Sequence, residues 1–191
     1  MNKEQITWFM QEIQMHCFGA EVAFKGLSEF ISDPKTKQTR FVWFELNSFL
    51  AHSAMISKYL SPIYTSALKT DRKNSLREAL KVDKDSDVLP RNARDNIEHF
   101  DERIDNWCTK DINTTLEMVF NDRKKYEFFN YDKKGVKRLL IMDEMIFISE
   151  NRDGTRFELK LQPIFEEVMR IKEEAEQWLV VDSPYKYFYP Y

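Results

Sequence analysis

Between Phe41 and Leu60 the chain carries only three acidic or basic side chains, Glu45, His52 and Lys58. Val42, Leu46, Phe49, Ile56 and Leu60 recur at helical spacing as one apolar stripe, and Trp43, Leu50 and Ala54 widen it. A helix apolar over most of its circumference cannot lie at a surface; it belongs at the centre of a helical bundle. Thr39 is a candidate N-cap and Ser61-Pro62 a stop, so this helix spans about 40 to 60.

The neighbouring segments supply helices to cover it. Residues 3 to 32 form a first long helix with Ile6, Phe9, Ile13, Phe24, Leu27 and Ile31 among its apolar positions, ending before Pro34. "TDRKNSLREAL" starts a short third helix, with Ser75 and Glu78 in capping-box spacing. Pro90 suits the first turn of a fourth helix that runs to about Trp107. Further on, Arg138 to Ser149 and Thr155 to Leu161 read as two strands of a β-hairpin, joined by the turn signal Asn151-Arg152-Asp153-Gly154. Pro163 then opens a last helix whose Ile164, Val168, Ile171, Ala175 and Trp178 share a face. With four glycines in 191 residues, helices are favoured over a turn-rich β architecture.

The expected fold is mainly α, a bundle of four to five helices with a C-terminal β-hairpin followed by a helix. One domain covers 1 to 191, with the bundle over about 1 to 110, the hairpin and last helix over about 136 to 180, and an aromatic tail at 181 to 191. No stretch has the roughly 18 consecutive apolar residues of a membrane span, and the N-terminus has no apolar leader core, so the chain reads as cytoplasmic. Cys17 and Cys108 are far apart and form no metal or redox pair, which suggests reduced core thiols. A net charge of −3 argues against coating nucleic acid by bulk electrostatics and leaves only local contacts.

One such locality is "LPRNARDNIEHFDERIDNW", residues 89 to 107. On a helical wheel Ala93, Ile97, Phe100, Ile104 and Trp107 form the core-facing stripe, which fixes the polar arc. Asp95 and His99 lie one turn apart on one row with Glu102 beside them, and Arg94 and Glu98 lie on the adjoining row. At about 100° per residue, Arg94 and His99 are about 140° apart around the axis. Two copies of the helix meeting about a twofold axis would bring two arginines and two histidines into one cleft.

Arg94-Asp95-Asn96-Ile97-Glu98-His99 resembles the R-x4-6-H motif of the HEPN superfamily, and the wider stretch from Ser75 to Trp107 is similar to an abortive-infection-like bacterial branch of it. The resemblance implies a HEPN-like helical bundle, a homodimer, and metal-independent ribonuclease activity of toxin–antitoxin or abortive-infection type, with a protein antitoxin as a possible partner. Where some members carry a tyrosine two residues after the histidine, this chain has Phe100-Asp101, so control by tyrosine adenylylation is not implied.

The residues themselves suit that chemistry. RNA carries its own nucleophile, the 2′-hydroxyl, so scission needs a base, a cation at the phosphate and an acid for the leaving 5′-oxygen. An imidazole at His99 can give or take a proton at neutral pH. Arg94 supplies planar, permanently charged donors to the phosphate oxygens, and Asp95 could orient the imidazole. Arg91, Glu98, Glu102 and Arg103 complete the arc expected to meet RNA. No metal, cofactor or DNA specificity is implied. Two alternatives stay open: a non-catalytic dimeric module that binds RNA or an antitoxin, and a metal-binding bundle with His16, His52 and His99 each from a different helix. Taken alone, Arg94 with Glu98 and Asp95 with His99 are also ordinary surface pairs. The clusters "RKNSLR", "RKK" and "KKGVKR" are further candidate phosphate contacts, and the tyrosines of "SPYKYFYPY" could stack on bases.

Overall fold

The computed structural model describes residues 1–32, 39–64, 66–88, 99–110, 115–129, 135–151 and 153–185. They are mainly helical, with a small four-stranded sheet and a C-terminal helix, and the chain divides into two compact units, 1–90 with 164–191 and 91–163.

The first unit holds α1 (Lys3–Ser32), α2 (Thr39–Leu60), α3 (Ala67–Ala79) and most of α6 (Leu161–Val181). The two long helices run antiparallel, since Phe9 meets Tyr59, Phe24 meets Phe49 and Phe30 meets Phe41. Met10, Ile13, Cys17, Phe24 and Leu27 of α1 are buried with Leu46, Phe49, Ile56 and Leu60 of α2, as the apolar spacing requires. From α6 come Ile164, Val168, Ile171, Ala175 and Leu179, all buried, and Phe165 stacks on Phe24 at 4.1 Å. Trp178, expected on that face, is only half-buried; Leu179 takes its place in the core.

The third helix begins earlier than its capping-box reading implies. Ser66 caps it by accepting from the Lys69 amide, so Ser75 lies mid-helix and instead accepts from the N-terminal ammonium at 3.3 Å. Nine residues upstream of Ser75, Ser66 supplies the same hydroxyl chemistry from a backbone that is still extended, the conformation an N-cap takes before the helix begins.

The second unit contains α4 (Phe100–Lys110), β1 (Thr115–Phe120), α5 (Arg123–Phe128), β2 (Val136–Ile141), β3 (Ile146–Glu150) and β4 (Arg156–Lys160). Strand order is β1-β2-β3-β4, with β1 parallel to β2 and the other pairs antiparallel. The predicted hairpin is therefore half of a larger sheet. Its second turn lies where Asn151 and Gly154 predict it, with Gly154 at φ 85, a left-handed conformation that suits glycine. The long first strand, expected from Arg138 to Ser149, is two strands: Met142 to Met145 turn back on themselves, with the Met145 amide donating to the Met142 carbonyl at 3.2 Å. Phe120, Leu139, Ile141, Ile146 and Ile148 form one apolar cluster, closed by Met118, Tyr126 and Phe129. Arg123 fastens α5 to the sheet by donating to both Glu144 and Glu158.

The two thiols differ. Cys17 is buried and its pKa is pushed up to about 12 by that burial, so it stays a protonated core thiol. Cys108, expected in the core, is exposed, because on α4 it follows Trp107 and so lies off the buried stripe. No helix among the described residues is long and apolar enough to cross a membrane.

Candidate functional site

His99 immediately precedes α4, and its carbonyl accepts from the Arg103 amide at 3.2 Å, so its place is fixed by the first turn of that helix. The ring is 52% exposed and its Nδ1 lies 3.2 Å from Oε1 of Glu102, itself 53% exposed. The other face of the helix behaves as the wheel predicts, with Trp107 buried, Phe100 and Ile104 half-buried, and the Phe100 and Trp107 rings edge to face at 5.8 Å. Arg91, Arg94, Asp95 and Glu98 lie outside the described residues.

Arg103 does not share the exposure of His99. It lies on the border of the buried stripe, three residues after Phe100 and four before Trp107, and is itself buried with Nη1 donating to the Glu150 carbonyl. There it joins a polar cluster that sequence spacing did not disclose. Glu150 accepts from Trp107 Nε1 at 3.2 Å and from Lys137 Nζ at 3.4 Å, and Lys137 lies 5.6 Å from the centre of the Trp107 ring. Next to it Arg138 donates to Glu117, its partner in the β1–β2 register, and stacks over Phe100 at 3.8 Å. Burial lowers the Arg138 guanidinium toward about 10, so it remains a cation at neutral pH. Long-range pairs of this kind leave no local pattern; the one available signal was a strand, "VKRLLI", whose charges fall among residues that are all buried.

Lys133, Lys134 and residues 186–191 of the aromatic tail lie outside the described residues. Among the described residues, several arginines of the basic clusters singled out as phosphate contacts bond within the molecule. Arg72 donates to the Lys58 carbonyl, Arg77 to that of Val82, and Arg123 to two glutamates.

A second histidine constellation lies in the helical unit. His16 of α1 and His52 of α2 meet with Nδ1 atoms 3.0 Å apart and ring centres 5.2 Å apart, the nearly head-on geometry of one N–H···N hydrogen bond. The antiparallel pairing of α1 and α2 brings His52 over Gly19, where an added Cβ would lie 2.5 Å from the ring. Glu45 occupies the corresponding place over Gly26. Among the described residues no group of three or more His, Cys, Asp or Glu is arranged to hold a metal ion.

The pair makes the helical unit sensitive to acid. His16 is lowered below 6.5 by burial first and His52 second, partly offset by Glu12, and burial also lowers His52. Because the folded state holds both rings more weakly protonated than the unfolded chain, their contribution is complete above about 6.5 and is lost as pH falls through the lower folded values. The neighbouring groups are Tyr59, whose hydroxyl is raised chiefly by burial, its bonded Glu12, and Arg72 above Phe9. Thermal melts should show the excess loss of midpoint between pH 7 and pH 5, relative to a His16→Gln/His52→Gln variant, at roughly 2–4 °C. Parallel curves for the two proteins would exclude this role.

No protein-family model, curated protein or solved structure matches this chain.

Proposed function

We propose that the chain is a metal-independent endoribonuclease of the HEPN type, acting as a homodimer in a defence or stress-response setting. The observation that carries the reading is His99, exposed at the start of a helix whose apolar stripe is turned inward, with a carboxylate on Nδ1. That carboxylate belongs to Glu102, which gives it the positioning role that sequence spacing gave to Asp95. With Nδ1–H donating to Glu102, Nε2 is left to exchange a proton with the substrate.

The step is a transesterification. The imidazole takes the 2′-hydroxyl proton, the 2′-oxygen bonds to phosphorus, and the bond from phosphorus to the 5′-oxygen breaks. A proton from an imidazolium, supplied by the second copy across the cleft, completes the leaving 5′-hydroxyl. Arg94 neutralises the charge that builds on the non-bridging oxygens. The products are a 2′,3′-cyclic phosphate and a 5′-hydroxyl. The second reading, a non-catalytic module that binds RNA or an antitoxin, is favoured by the same exposure, since water surrounds a His99–Glu102 pair of ordinary surface type.

Incubating a mixed RNA pool with the purified protein in EDTA and mapping new 5′-hydroxyl ends separates the two. Cleavage that persists in EDTA is the expected result. Intact RNA across diverse sequences would leave the binding module as the function.

A further inference from the structure

Helix α1 has two apolar faces and, among the described residues, buries only one. Met10, Ile13, Cys17, Phe24 and Leu27 are 0–5% exposed, whereas Trp8, Met15, Phe18 and Val22, on the opposite side, are 53–63% exposed. Four large side chains in one row form a patch on the order of a few hundred Å². That is well under the roughly 1,200 Å² that a stable interface between separate molecules buries, but it suits a segment tethered to the same chain, whose effective concentration is already in the millimolar range. Helix α6 delivers such a segment. It runs antiparallel to α1, with Phe165 stacked on Phe24, Lys172 Nζ 2.8 Å from Glu21 and, past its end, Asp182 3.3 Å from Lys3 Nζ and Ser183 Oγ 3.2 Å from Thr7 Oγ1. The Tyr185 amide then donates to Ser183 Oγ at 3.1 Å, so the chain turns beside the first turns of α1. Thr7 precedes Trp8 and lies within about 40° of Gln11 and Phe18 on the helical wheel, which puts the point of departure at the edge of the exposed row.

We propose that the exposed row of α1 is the docking site of the chain's own segment 186–191, which lies along it in the direction of the helix and covers Trp8, Met15 and Phe18. The reach is sufficient. Six extended residues beyond Tyr185 span about 20 Å, while Trp8 to Phe18 is about 15 Å along the helix axis at 1.5 Å per residue. The segment reads Lys186-Tyr187-Phe188-Tyr189-Pro190-Tyr191. In an extended chain alternate side chains point to one side, so Tyr187, Tyr189 and Tyr191 form a row of their own, about 6.6 Å apart. Against α1 they make ring–ring contacts with Trp8 and Phe18 and ring–sulfur contacts with Met15, and their hydroxyls stay at the wet rim. Tyrosine gives this area at little entropic cost, having few rotatable bonds. Pro190 brings no amide donor to be buried and has its backbone already restricted. Lys186 enters at the end of the row where Glu4 lies, a pairing of opposite charge. The proposal is independent of RNA cleavage, which involves the His99 helix.

The ε-methyl of Met15, assigned with Met15→Leu, reports on the row by nuclear magnetic resonance. In the full chain it should be shifted upfield by the tyrosine rings. A chain stopped after Tyr185 should lose that shift, and so should a full chain carrying Tyr187→Ser and Tyr189→Ser, with circular dichroism unchanged because the Thr7–Ser183 contact and the core remain. A nitroxide on Tyr191→Cys in a Cys108→Ser background reads the direction, since Cys17 is a buried thiol. Docked as proposed, the label lies beside Phe18, about 6 Å along the axis from Val22 and about 15 Å from Trp8, so it should broaden the Val22 methyls far more than the Trp8 indole N–H. A Met15 resonance that is the same with and without residues 186–191, or broadening stronger at Trp8 than at Val22, would overturn the proposal. So would a Met15 shift that appears only at concentrations where light scattering gives twice the chain mass, which would put a second copy on the row. A ribonuclease that proved inactive would change none of these readings.

Discussion

On the ribonuclease reading proposed above, His99→Ala is expected to lower RNA cleavage by at least about a hundredfold, in line with the usual contribution of a general acid or base, with an unfolding midpoint close to that of the wild type. Both halves of this expectation come from the position of the ring. His99 contributes its backbone carbonyl to the first turn of α4, which alanine preserves, and among the described residues its half-exposed side chain bonds at the surface to Glu102. The stability cost of losing such a pair is about 0.5 kcal/mol or less. Arg94→Ala should impair cleavage as well. Arg94→Lys should restore little, because a lysine ammonium cannot present the planar pair of donors that a guanidinium offers to phosphate. Glu102→Ala, which frees the ring to rotate, should cause a smaller loss. Equal cleavage by wild type, His99→Ala and Arg94→Ala would place the activity elsewhere or in a contaminant.

The largest effect on stability is expected from Glu150→Leu. The Glu150 carboxylate is met by the Lys137 ammonium and the Trp107 indole, and both Glu150 and Lys137 are buried, at 8% and 5% exposure. Removing one member of a buried pair leaves the other charge without its counterion, a loss of about 3–5 kcal/mol. Amide exchange in β2 and β3 reports on this unit separately from the helical one; there the substitution should lower protection by two orders of magnitude or more. Glu150→Gln keeps an acceptor for the indole and should cost less. Glu150→Leu combined with Lys137→Met should recover much of the loss, because a buried pair replaced by apolar side chains of similar volume no longer bears the desolvation of either charge. Unchanged protection in Glu150→Leu would mean that the carboxylate contributes nothing to the sheet.

The helical unit was legible in the sequence because each of its long helices carries a continuous apolar row, and a buried row leaves a periodic trace in the chain. The sheet was less legible. β1 is six residues in which Glu117 separates Leu116 from Met118-Val119-Phe120, too short a run to distinguish from the polar segment around it. The turn from β2 to β3 has no glycine, proline or asparagine; Met145 takes φ 50, which non-glycine residues rarely adopt, and Met142 and Met145 carry the apolar runs up to Asp143-Glu144 on both sides. At the candidate site, the wheel correctly separated the buried Trp107 from the exposed His99. It missed Arg103, because what draws that side chain inward is a carbonyl 47 residues away. The same holds for His16 and His52, brought together only when α1 and α2 fold against each other.

The strand order also decides how this sheet is assembled in time. Partners across β2 and β3 are close along the chain, Ile141 with Ile146 and Leu139 with Ile148, so that hairpin closes a short loop and forms on the microsecond scale. Thr115 of β1 pairs with Val136, with α5 threaded between them, and that contact waits for a longer closure and for Arg123 to find both of its glutamates. Pulse-labelled exchange reads this order directly, as protection in β2 and β3 ahead of β1. In translation the sequence of events is inverted: β1 leaves the ribosome first and is the last strand to find its neighbour.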